Sequence, residues 1–233
     1  MKVIKFKKIK LSRIVQILIW LGIYICLTLA FYHLSGTFIS SKEINTQALS
    51  LSAQVDDKID VVLGKSDAPI TLVIYADFAS VSTASTHTML AQLAKNKPDS
   101  VRYVFRQMPL TNLHPKAEKA ARAAEAANKQ KKFWEMADKL FVGQASWNKL
   151  EDPTDEFVKY ATDLKLNTKQ FTADYDSEET KSKILQDYYG GLSSGIKTVP
   201  VVFLNGTEVK LPLNSYNELN VFIEDELEKI KLN

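Results

Sequence analysis

Hydrophobic positions fall along this chain in different rhythms. From Ile14 to Tyr32 (IVQILIWLGIYICLTLAFY) the run is apolar apart from Gln16 and Thr28, and no Lys, Arg, Asp or Glu occurs from Ile14 to Ser41. From Ile70 to Tyr75 and again from Val101 to Arg106 the apolar residues form short β-branched and aromatic runs, as buried strands do. Elsewhere they recur every three or four residues, the spacing of one helix face.

These rhythms predict an order of elements. The Ile70–Tyr75 strand ends at Asp77-Phe78, and a small-polar cluster (Ser80, Ser82, Thr83, Ser85) opens a helix to about Asn96. After the Val101–Arg106 strand, Ala117, Ala120, Ala121, Ala124 and Ala127 mark a helix that can pack closely. Asp152-Pro153 starts another helix by cap-then-proline logic, and Phe171 and Tyr175 mark a short helical turn. Ser177-Glu178-Glu179 is a further helix start with acids in its first turn, running toward Tyr188-Tyr189, with Gly190-Gly191 and Gly195 set to end or kink it. A hairpin, Val201–Leu204 with Glu208–Leu211 about Asn205-Gly206, precedes a last amphipathic helix from Ser215 to Leu232. Leu34 to Asp60 is polar with scattered aliphatics and is expected to be a stalk, with one short helix near 46–59.

Charge changes the picture at the N-terminus. The net charge is +3, yet residues 1–13 hold six basic groups and no acid, which leaves 24 basic against 27 acidic groups, or −3, for the rest. The basic character is a leader, and nucleic acid is not expected as a partner. The 19 residues of 14–32 suffice to cross a hydrocarbon layer about 30 Å thick at ~1.5 Å per residue. The positive-inside rule then keeps residues 1–13 cytoplasmic and puts everything after the span outside. A cleaved signal peptide shares this pattern. The apolar run is longer than a usual signal core and no Ala-x-Ala site follows, so an uncleaved anchor over 14–33 is the expectation. Cys26, the only cysteine, lies within it as a lipid-facing or helix-packing residue, with a dimer disulfide or acylation as alternatives.

Two stretches carry a resemblance, Ile70–Ser85 (ITLVIYADFASVSTAS) and Thr198–Gly206 (TVPVVFLNG). With the Gly64–Pro69 lead-in, the Pro109 and His114-Pro115 entry, Phe133-Trp134 and Gln144-x-x-Trp147, they resemble the DsbA-like thioredoxin-fold family over roughly 64–231. The resemblance implies an α/β thioredoxin fold with an all-helical insertion, about 107–195, and the apolar run places one transmembrane helix before it. The domains expected are a leader (1–13), an anchor (14–33), a linker or stalk (34–62) and the thioredoxin domain (63–233). It also implies a cis Val199-Pro200 bond facing the helix start. Where the family carries Cys-x-x-Cys, this chain reads Ser80-Val81-Ser82-Thr83. The family's thiol–disulfide oxidoreduction is therefore an activity these residues cannot deliver: hydroxyls do not ionise readily at neutral pH and form no S–S bond.

Several chemistries remain open at this degenerate site. Ser80–Ser85 hydroxyls at a helix start serve as caps. Kappa-class glutathione transferases share the fold and use a serine near this place, so Ser80 or Ser82 could bind glutathione, the one cofactor-like ligand to consider. A Ser-His hydrolase pairing Thr83 with His87 lacks an acid to orient the histidine. His33 and His114 look like an interfacial and a helix-entry residue, and no metal-ligand cluster is visible. Pro200 either keeps the fold's turn or, with Val81, Thr198 and Val199, lines a groove for extended polypeptide. The expected function is a non-redox polypeptide-binding, chaperone-like or envelope-complex module, outside the cytoplasmic membrane in a periplasm or cell-wall space. The alternatives are a glutathione-dependent transferase and an envelope scaffold.

Overall fold

The computed structural model describes residues 13–38 and 48–232. The chain divides into two units, Met1–Gln47 and Ala48–Asn233. In the first, α1 (Arg13–Phe38) is a helix of 26 residues. Trp20, Tyr24, Phe31 and Cys26 are exposed on it. The expected anchor falls on this helix; among the described residues no helix is long and apolar enough to cross a membrane. The leader before Arg13 and the stalk residues 39–47 lie outside the described residues.

In the second unit, the element order is β1 (Val61–Leu63), β2 (Ile70–Ala76), α2 (Val81–Asn96) and β3 (Val101–Gln107), followed by a helical block. That block is α3 (Ala117–Asn128), α4 (Phe133–Val142), α5 (Gln144–Trp147), α6 (Thr154–Asp163), α7 (Thr168–Tyr175) and α8 (Glu178–Ser193). The chain then returns through β4 (Val201–Leu204), β5 (Thr207–Glu208) and α9 (Tyr216–Leu232). The sheet order is β1-β3-β2-β4-β5, with β2 and β3 parallel and the other pairs antiparallel. This is the α/β arrangement expected, with the helical insertion between β3 and β4.

Strand alternation sorts the core into two layers. Ile70, Leu72, Ile74 and Ala76 of β2, with Val101, Tyr103 and Phe105 of β3, join the main core with α2, α9 and the inserted helices. Val73, Tyr75, Val104 and Phe203 face the other way and pack with Met108 and Ile196. A Phe or Leu buried on either face contributes about 1.5–3 kcal/mol.

What covers the second face departs from the expected stalk. Leu49, Leu51 and Val55 pack on that layer. Leu51 N–H donates to Gly206 O (2.8 Å) and Glu208 N–H to Leu49 O (2.8 Å), so the segment adds to the β5 edge. Residues 48–60 thus form a strap on the domain, without the helix expected near 46–59 in its described part, and residues 61–63 are strand β1. Polar composition suggested a stalk because the partners of its polar atoms lie far away in sequence. Arg106, from β3, uses all five guanidinium N–H donors here: Nε and Nη2 to Asp60 (both 2.9 Å), Nη1 to Ala53 O and Tyr75 Oη (both 3.0 Å), and Nη2 to Gln54 O (3.0 Å).

Gly190-Gly191 do not end α8, which runs on to Ser193. A Cβ on Gly191 would meet Met108 Sδ at 2.6 Å and the Tyr75 ring at 3.0 Å, so that glycine serves close packing. The helix stops at Gly195, whose φ is +82°. The hairpin has the expected Asn205-Gly206 turn, at φ +47° and +90°, but β5 is only Thr207–Glu208, shorter than the expected 208–211.

Candidate functional site

β2 ends in a corner that is held from several sides. The Asp77 carboxylate is fully buried and accepts from Ala79 N–H (2.7 Å) and Leu110 N–H (2.9 Å), with His114 Nδ1 at 2.8 Å. Gln144 Nε2 donates to Phe78 O at 2.6 Å, and the Phe78 ring stacks on Phe105 at 5.1 Å. The sequence pattern marked Asp77, His114 and Gln144 without revealing that they converge; they are 37 and 67 residues apart from the first to each of the others by numbering, so no local signal could show it.

Ser80 follows as the N-cap of α2, with φ −87° and ψ 122°. Its Oγ accepts from Thr83 N–H at 3.4 Å and lies 3.0 Å from Ser82 Oγ. Ser82 is exposed, and Val81 presents 74% of its surface to solvent. Thr83 is wholly buried, and its Oγ1 has no hydrogen-bond partner among the described residues. The two positions that seemed equivalent hydroxyls therefore differ: Ser80 caps, while Thr83 is an orphan.

The second predicted stretch lies at the same end of the sheet. β4 pairs with β2 so that Val201 lies opposite Tyr75. Pro200, one residue earlier, is thereby placed beside the exit of β2 toward Asp77. The Val199-Pro200 bond is cis. Thr198 is exposed, and Val199 and Pro200 are half-buried. Next to this loop a cavity of about 310 Å³ is lined by Met108, Leu110, Leu113, Leu192, Ile196 and Lys197 among others. Leu113 and Leu192 are exposed at its margin.

His87 is corrected by the structure in one respect. An acid does accompany it: Asp138 Oδ1 lies 3.4 Å from Nε2, and Tyr103 Oη lies 3.0 Å from Nδ1. Both ring nitrogens are thus engaged within an aromatic cluster, with Trp134 stacked at 6.0 Å, and no hydroxyl of the α2 start is paired with it. The His87 hydrogen bond is the first cause holding the Asp138 carboxyl below its ordinary range, ahead of burial, which opposes it. Burial pushes the Tyr103 hydroxyl well above its usual range. Among the described residues no group of three or more His, Cys, Asp or Glu could hold a metal ion. His33 lies among side chains that are not described.

A strand–helix corner facing a cis-proline strand, with a helical insertion between β3 and β4, defines a thioredoxin-like protein. The chain belongs to the family described as Thioredoxin, whose model matches residues 56–225. Among solved structures it is similar to oxidised BdbD from Bacillus subtilis, with a TM-score of 0.64 and 26% identity, covering 78% of this chain and 99% of that one. α-DsbA1 from Wolbachia pipientis shares the fold at TM-score 0.64 and 20% identity, over 78% of this chain and 96% of that one. These neighbours are DsbA-family proteins. Among curated relatives, Na(+)/H(+) antiporter NhaA 3 of Salinispora tropica is 36% identical over 166 residues, 71% of this chain but 24% of the relative. NhaA of Herminiimonas arsenicoxydans is 32% identical over 160 residues, 69% of this chain and 24% of that one. The match with this chain thus spans about a quarter of the length of these relatives.

Proposed function

We propose that this protein is a membrane-anchored, extracytoplasmic DsbA-like module that binds extended polypeptide, or an envelope protein partner, without redox chemistry. The observation that carries this reading is Val81, an aliphatic side chain 74% exposed at the α2 start, at the sheet end that also holds the cis Val199-Pro200 loop. A strand-like ligand would pair its main chain with Thr198 and Val199 and set apolar side chains against Val81 and in the neighbouring cavity. None of those contacts needs a thiol. Ser80 and Thr83 hold the places of the family's cysteines, and Cys26, as the only cysteine, leaves no intramolecular disulfide to form.

Residues 14–33 supply the anchor in this reading, with the six basic groups of 1–13 on the cytoplasmic side. The relatives bearing antiporter names support a membrane setting, since the matched stretch there belongs to a much longer chain. The acidic balance of the remainder, −3 from 24 basic and 27 acidic groups, gives nucleic acid no basic face.

The test is a photo-crosslinking residue placed at Val81 in cells, followed by mass spectrometry. Defined protein adducts are expected, and a broad set of clients would favour the chaperone form of the reading. A folded, exported protein that captures no protein would sink it. One observation favours glutathione as a second reading: the Ser82 hydroxyl is exposed beside the first turn of α2. Calorimetric binding of reduced glutathione, abolished in Ser82→Ala, is its signature.

A further inference from the structure

The strap of residues 48–60 touches both flanks of the segment that carries the cis-proline. On the α8 side, Ser52 Oγ donates to Gly190 O (2.8 Å), and Ser194 Oγ accepts from Ser52 N–H (3.0 Å) while lying 3.0 Å from Ser52 Oγ. Ser194 Oγ also reaches Gly190 O at 2.8 Å. These bonds fasten the last turn of α8, whose amides at Ser194, Gly195 and Ile196 donate to Gly190, Leu192 and Gly191 carbonyls. Leu49 packs beside Gly195, with its Cδ2 3.1 Å from where a Cβ would stand. On the hairpin side, Leu49 and Leu51 exchange backbone hydrogen bonds with Glu208 and Gly206, and Leu49 N–H donates to the Glu208 carboxylate at 3.0 Å.

Between those two grips lie Thr198, Val199 and Pro200, whose own side chains are exposed or half-buried. From Ile196 to Thr198 there is a single intervening residue, Lys197. The leading end of the loop is thus held by the strap, while its trailing end, at Val201, is held by pairing with Tyr75 of β2, and the strap grips the hairpin beyond it. The strap is in turn locked by Arg106, which takes Ala53 O, Gln54 O and Asp60 together.

We propose that the strap is a positioning element for the cis-proline loop, with Ser52 and Leu49 as the positioning residues. What holds or releases residues 48–52 therefore sets how firmly Thr198–Pro200 is presented to a ligand. The proposal rests on the reading of this loop as a binding element, but its test needs no ligand. A failure here and a failure to capture a partner at Val81 are therefore separate results.

The measurement is amide hydrogen exchange on the full chain in detergent micelles, comparing the native protein with Ser52→Ala and with Ser52→Ala/Leu49→Ala. Exchange at Ser194, Gly195 and Ile196 is expected to rise roughly tenfold, while amides of β2 and β3 keep their protection. Ser52→Thr, which keeps the hydroxyl, is expected to restore it. Unchanged exchange at Ser194–Ile196 in both variants overturns the proposal, and so do Thr198 and Val199 amide resonances that keep their native positions when that exchange rises. So does a uniform rise that includes β2 and β3, because the strap would then only stabilise the whole domain.

Discussion

Two buried ionisable side chains fix irregular chain in this domain, and they do so by different means. At the end of β2, Asp77 gathers backbone N–H groups and the His114 ring. On the second face, Arg106 gathers two carbonyls, a tyrosine hydroxyl and the Asp60 carboxylate. Two of the three donors to Asp77, Leu110 N–H and the His114 ring, sit on partly exposed chain where water can replace a lost acceptor, while Ala79 N–H is buried. Arg106 and Asp60 are each 5% exposed at the side chain, so neither can turn to water if the other is removed. Several separate donors share the hold on the corner, whereas the strap hangs on one guanidinium and its buried carboxylate partner.

Removing each centre in turn gives the sharpest contrast. Arg106→Met leaves Asp60 buried without its cation, and urea unfolding is expected to show a loss of about 3–5 kcal/mol. Asp77→Ala removes the acceptor from the corner at a smaller cost of about 2–3 kcal/mol. The reverse order would break the comparison.

Dependence on pH separates the same region from its surroundings. Burial would raise the Asp60 pKa, but hydrogen bonds from Arg106 and the Asp56 backbone outweigh it and hold the carboxyl below its ordinary 3.8. Its contribution to stability is present above that value and is lost as pH falls toward the folded-state value. Glu125, on α3, behaves oppositely: burial raises its carboxyl above the ordinary 4.5, with Lys183 and the Gln107 amide only partly opposing. Stability is therefore lost as pH rises from 4.5 toward the folded-state value. Glu125→Gln should raise the melting temperature at pH 8 relative to the native protein and lose that advantage at pH 4. An equal gain at both values would show that the Glu125 charge is not the cause. The smallest effect is expected at the α2 start. Ser80→Ala loses a cap worth about 1 kcal/mol, whereas Thr83→Val removes an unpartnered hydroxyl and should leave stability unchanged or raised by up to about 1 kcal/mol.

The sequence pattern announced β2, β3 and the inserted helices because each buries a regular apolar face, visible within a short window. The ends of the fold were harder. Residues 48–60 looked like a stalk because Leu49, Leu51 and Val55 are too few for a periodic signal, and their companions Gly206, Glu208 and Arg106 lie far downstream. Gly191 looked like a helix stop because nothing local tells a turn from a close contact with Met108 and Tyr75. At the candidate site, the Ser80–Thr83 run and Val199-Pro200 were legible from their resemblance to known elements. The network around Asp77 and the acid beside His87 were not, since Leu110, His114 and Asp138 reach them only through the fold.

The Arg106 grip also dictates where the chain can be cut. A soluble version begun at Val61, the first residue of the first strand, would discard four of the five acceptors of that guanidinium, at Ala53, Gln54 and twice at Asp60. The truncated protein would carry a bare cation on its second sheet face and an uncovered patch at Val73, Val104 and Phe203. It would be expected to precipitate, while one begun at Ala48 keeps the seal and stays in solution.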